Sequence, residues 1–236
     1  MTLRESTRNH ARLTTLLYGV CLCLLLITTG CQTAVDLRHD AVLAMNRGQN
    51  DLALQKMTRA VEKDPSSARN QFQLGRANLA LDRNIQAQYA LEQAYALSPN
   101  DPELTPDILD HLAEALFRQD RYENLFAFLG KHVEGIATTR DYLRQAKYMA
   151  KAGDPDAARL AFSKAAYFAD KSDTEPYIAI ADFYTSIGDQ PNAVTALRYA
   201  NYVDPGNLDV AERLRRFGIV PGPTITKAPP KPELLR

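Results

Sequence analysis

Residues 74–99 read LGRANLALDRNIQAQYALEQAYALSP, and within them Gly75, Ala87, Ala94 and Pro99 are separated by 12, 7 and 5 residues. Ala41, Ala53, Ala60 and Pro65 keep the same three intervals 34 residues earlier. Ala181, Ala193, Ala200 and Pro205 keep them again, and Ala146, Ala158 and Ala165 keep the first two. Two helices that cross at ~8–10 Å leave room for little more than a methyl group at the crossing. A 34-residue period with small residues at fixed places therefore predicts paired helices stacked into a solenoid. Met57, Leu91, Phe162 and Leu197 each follow the first small residue of a second helix by four, and are the expected knobs between units. Gly48, Gly153 and Gly188 fall where the two helices of a unit must turn, a place that favours left-handed backbone. Pro65, Pro99 and Pro205 close the second helices, because proline lacks an amide donor and restricts the residue before it.

This pattern resembles the tetratricopeptide repeat over residues 34–207, which implies an all-α fold: an α-solenoid of about five helix-turn-helix units. The second and fifth units are the most regular. Aligning Ala113 with Gly75 places about four extra residues in the stretch 101–106, and Leu125 and His132 stand where the third unit should have small residues. The fourth unit lacks a closing proline, so its second helix is expected to run through Phe168. Leu37 and Gln71 occupy the position where the family usually carries an aromatic. Residues 208–217, with Asp209, Glu212, Arg213, Arg215 and Arg216, suit a capping helix, since the last repeat of a solenoid needs a polar outer face. Residues 218–236 hold five of the 13 prolines and read as an extended or disordered tail. Such a tail is either a plain terminal extension or a docking peptide for another protein or for the chain's own groove.

Residues 1–30 have the layout of a secretory signal: Arg4, Arg8 and Arg12 against Glu5, then an apolar run over 16–27, then small polar residues. A run of 12 is short of the ~20 residues that span a bilayer. Leu26, Ile27, Thr28, Thr29 and Gly30 before Cys31 resemble a bacterial lipobox, which implies cleavage before Cys31 and its modification by lipid, palmitate included. Gln32 after the cysteine implies sorting to the outer membrane where one exists. The alternatives are a simple cleaved signal or an uncleaved anchor. Cys21 and Cys23 lie within the apolar run, so a chain cleaved before Cys31 retains one cysteine and no means of forming a disulfide.

Removing residues 1–30 takes away three of the 28 basic and one of the 28 acidic side chains, leaving 25 and 27. That balance gives no basis for nucleic-acid binding. His111 and Glu114 lie three apart on a predicted helix, but two ligands make no zinc site. No phosphate loop, nucleophile elbow or catalytic carboxylate pair stands out, so neither an enzyme, a cofactor nor a small-molecule substrate is expected. In the family that the repeats resemble, first helices line a concave groove. The positions so mapped are Arg38 and Val42, Phe72, Arg76 and Leu79, Asp110, Glu114 and Phe117, Leu143 and Lys147, and Ile178 and Asp182. Arg38, Phe72, Arg76, Phe117 and Arg118 are the expected partner contacts, because arginine and aromatic side chains dominate protein interfaces. The peptide-carboxylate clamp of the family is not expected, since Val42 and Gln73 occupy two of its positions. The reading that results is a lipid-anchored envelope scaffold that binds another envelope protein or peptide. Its rivals are a self-associating spacer and an accessory subunit of an envelope enzyme.

Overall fold

The computed structural model describes residues 32–134 and 137–229, so the expected leader and Cys31 lie outside the described residues. Those described form eleven α-helices: α1 (Ala34–Asn46), α2 (Asn50–Lys63), α3 (Ala68–Ala80), α4 (Asn84–Leu97), α5 (Thr105–Phe117), α6 (Tyr122–Val133), α7 (Thr139–Lys151), α8 (Pro155–Phe168), α9 (Glu175–Ser186), α10 (Gln190–Val203) and α11 (Leu208–Arg216). The chain divides into two compact units after Ser66.

The first unit is the α1–α2 hairpin. Thr33 caps α1 by accepting from the Asp36 amide, and the Asp36 carboxylate accepts from the Thr33 amide in return, which satisfies two otherwise orphaned donors. Ala41, Ala53 and Ala60 are fully buried beside Leu37 and Met57, as the spacing predicts. Lys56 reaches across to Asp40 at 2.8 Å.

In the second unit, α3 with α4, α7 with α8, and α9 with α10 pack along their lengths. Gly75, Ala87 and Ala94 recur as Ala146, Ala158 and Ala165 and as Ala181, Ala193 and Ala200, with Leu91, Phe162 and Leu197 buried between them. Gly75 is the tightest of these approaches. A Cβ built there would meet Leu91 Cγ at 2.6 Å, near the root of that side chain, so Leu91 cannot swing clear at little cost. Gly75→Ala is therefore expected to lower unfolding free energy by about 1–2 kcal/mol, measured by urea titration, despite alanine's better helix propensity. An unchanged or raised midpoint would show that α3 and α4 can part without cost.

The third unit departs from the rest. Asp101 accepts from the amides of Glu103 and Leu104, and Thr105 donates to Ser98 O at 2.8 Å, so the extra residues form a fixed corner ahead of α5. Leu125 is buried where other units carry alanine, and α5 and α6 touch over less of their length. A larger side chain at the crossing holds the helices apart. In the fourth unit α8 does end at Phe168, stacked at 5.2 Å on Tyr142.

After Pro205 the frame continues. Pro65 precedes Gly75 by ten residues, and Pro205 precedes Arg215 by ten, so α11 is the first helix of a sixth unit with arginine at the crossing. No second helix can approach there, and Arg215 is exposed. Residues 219–229 are not a free extension. Gly218, at φ 74°, turns the chain back, Ile219 donates to Leu214 O, and a single 3₁₀ turn, Pro223–Ile225, stands where the next second helix would begin. Ile219 and Ile225 pack on the apolar cluster of Leu197, Ala200, Val210 and Leu214.

Candidate partner-binding face

In the second unit α3, α5, α7 and α9 touch one another in turn, and Arg213 of α11 pairs with Asp182 of α9, so these first helices form its inner face. Asp107, Asp110 and Glu114 run along α5 at spacings of three and four; Arg140, Arg144, Lys147 and Lys151 run along α7 at four, three and four. These spacings align each set on one side of its helix. Arg140 donates to Asp107 at 2.6 Å and to Asp110 at 2.9 and 2.5 Å. Arg144, its side chain only 2% exposed, bonds to Asp110 at 2.5 Å and to Asp141 at 2.7 Å. Burial opposes the charge of Asp141, but the backbone and hydroxyl of Thr138 and the guanidinium of Arg144 outweigh it and hold its carboxyl below the usual range.

Glu114 is the centre of the other end. Partial burial works against its charge, yet hydrogen bonds from Arg118 at 2.8 Å, Tyr148 at 2.9 Å and Lys151 at 3.2 Å prevail and bring its carboxyl down to about 2. Burial and the neighbouring Glu114 carboxylate push the Tyr148 hydroxyl up, so it remains a donor. Around this carboxylate gather cations and rings. The Lys151 ammonium lies 4.9 Å from the Phe117 ring centre and 5.2 Å from that of Tyr148. Lys147, exposed, lies 5.1 Å from Tyr148, and Phe117 packs edge-on against Tyr122 at 5.8 Å. Arg118 also donates to Leu79 O at 3.1 Å, which ties α5 to the end of α3.

The residues expected to meet a partner are thus dispersed. Arg38 is partly exposed on α1, in the first unit. Phe72 requires a correction: it is 5% exposed, within the cluster of Leu79, Leu91, Leu104, Ile108 and Leu112, and its ring meets His111 edge-on at 5.2 Å. A side chain filling the gap between successive first helices has no face left for a ligand. Arg76 lies over that ring at 5.8 Å and donates to Gln73, partly buried. Phe117 and Arg118 do come together, partly exposed, with Lys147, Tyr148 and Lys151. Arg140, Arg144, Tyr148 and Lys151 were not singled out in the sequence, although the regular spacing of base on α7 against acid on α5 was there to be read. His111 and Glu114 diverge: the imidazole Nδ1 is 2.7 Å from Asp107 O while Glu114 is held by Arg118, Tyr148 and Lys151. Among the described residues no three His, Cys, Asp or Glu side chains converge as a metal site would require.

No protein-family model matches the chain, and no curated protein matches it. A thermophilic tetratricopeptide-repeat protein of Thermus thermophilus is similar in structure, with a TM-score of 0.55 at 21% identity over 78% of this chain and 98% of the other. The pilF protein of Pseudomonas aeruginosa is similar with a TM-score of 0.52 at 16% identity, over 78% of this chain and 82% of its own. At such identities the likeness shows the fold, an α-solenoid of tetratricopeptide type, and a fold of this kind does not name its ligand.

Proposed function

We propose that this protein is a binding scaffold of the bacterial cell envelope, anchored by lipid at Cys31, which offers the inner face of α5 and α7 to another envelope protein or peptide. The observation that carries the binding reading is the cluster of Arg118, Lys147 and Lys151 around Phe117 and Tyr148. Elsewhere along α5 and α7 the charges neutralise one another. Here the exposed Arg118, Lys147 and Lys151 outnumber the one carboxylate of Glu114, and of the two rings Phe117 stays partly exposed over the buried Tyr148, a combination of cation and ring surface that suits an interface. An incoming segment with carboxylates would find complementary charge at Lys147.

The anchor rests on sequence alone: a short apolar run followed by Gly30 and Cys31. No helix among the described residues is long and apolar enough to cross a membrane. One acyl chain holds a protein to a bilayer only marginally, so stable attachment requires the several chains that lipoprotein processing adds. Mass spectrometry of the mature amino terminus is expected to find a modified Cys31, and Cys31→Ala to block that processing. An intact Met1 or an unmodified Cys31 would end the anchor reading.

Lys147→Glu is expected to weaken capture of the envelope protein that co-purifies with the wild type by tenfold or more, with helical circular dichroism unchanged, because Lys147 is exposed and bonds to no carboxylate whose loss would unfold α7. Undiminished capture would remove this face from consideration. Concentration-dependent self-association, without a captured partner, would favour the spacer instead.

A further inference from the structure

The tail from Ile219 to Pro229 behaves as a ligand seated on the protein's own last repeat. The 3₁₀ turn Pro223–Ile225, closed by the Ile225 amide on Gly222 O and the Thr226 hydroxyl on Pro223 O, gives way at Thr226 to extended backbone at φ −64° and ψ 141°. Ile225, partly buried, packs its side chain against the cluster that joins α9, α10 and α11. Two residues on, the Lys227 amide donates to Arg198 O at 3.5 Å and its ammonium lies 5.6 Å from the centre of the Tyr199 ring. Tyr199 is itself supported edge-on by Tyr177 at 6.0 Å. An aliphatic side chain on an apolar cluster and a lysine ammonium over an aromatic ring are contacts that a like segment of another chain can also make.

Arg198 Nε and Asn201 Nδ2, on the helix that carries the contact, are buried donors with no hydrogen-bond partner among the described residues, and Asn201 is 2% exposed. Buried donors left unpaired are unfavourable.

We propose that α9 and α10 form a second binding site, distinct from the inner face of α5 and α7, for a proline-bearing segment carrying an aliphatic residue two positions before a lysine. The chain's own tail occupies that site in cis. Tethering gives the tail an effective concentration in the millimolar range, so a segment in trans must displace it.

The probe is a fluorescein-labelled peptide of residues 219–229, IVPGPTITKAP, titrated with the full chain and followed by anisotropy. Wild type is expected to bind weakly. Ile225→Asp in the protein removes the tail's apolar anchor and should tighten binding of the unmodified peptide at least tenfold. Adding Tyr199→Ala should reverse that gain. Should Ile225→Asp reduce helical circular dichroism, Lys227→Glu at the exposed end of the tail serves in its place. A tail-weakened variant with intact helices that fails to bind the peptide would overturn the proposal, as would binding that survives Tyr199→Ala.

Discussion

Phe72→Ala is expected to lower the unfolding free energy by about 3–5 kcal/mol, the usual result of deleting a buried phenylalanine. The ring is 5% exposed and packs among Leu79, Leu91, Leu104, Ile108 and Leu112. Its neighbours come from α3, α4 and α5 and from the corner before α5, backbone elements that cannot all close over the cavity together. The edge-on contact with His111 at 5.2 Å is lost as well. Arg76→Ala, by contrast, removes a partly exposed side chain bonded to Gln73 and should cost less than about 1 kcal/mol. Urea titration of the two single variants separates these values. A loss under 1 kcal/mol for Phe72→Ala would mean that the ring is not between the helices. Any failure of Phe72→Ala to capture a partner reports a damaged array and not a lost contact.

The difference between Phe72 and Arg118 marks where sequence reading of this chain succeeds and where it stops. Small residues at crossings are legible because their cause is steric and local: Gly75 and Ala87 must be small whatever lies beyond. The turn of each unit is half legible. Gly48, Gly153 and Gly188 announce it, but the second and third units place Asp82 and Asp120 in the same left-handed backbone, at φ 56° and 54°, and aspartate, though enriched there, is a far weaker sign than glycine. The sixth unit was hidden for the opposite reason. Arg215 breaks the small-residue signature because it stops the array, so α11 reads as a charged cap and not as a first helix. Which first-helix residues face a groove depends on how adjacent first helices lean together, and that lean is set by residues 30 or more positions away, such as His111 against Phe72 and Arg140 against Asp110.

Arg144→Leu is expected to cost about 2–3 kcal/mol of stability. Removing one partner of a buried ion pair usually costs about 3–5 kcal/mol, because the other charge is left unpaired. The lower figure follows from what Asp110 and Asp141 retain: Asp110 still accepts from Arg140, and Asp141 still accepts from the Thr138 amide and hydroxyl. Arg140→Ala should cost less than about 1 kcal/mol, since that guanidinium is 45% exposed and water can replace it. The pair Arg144→Leu with Asp110→Leu tests whether the network is held by charge or by shape. Two apolar side chains need no compensation, so the double variant should recover at least half of the loss, with a coupling energy of about 1 kcal/mol or more in a double-mutant cycle. Additive losses would show that Arg144 matters for its packing against α5 alone. In that case the alternating acid and base along α5 and α7 would have no part in holding the two first helices together.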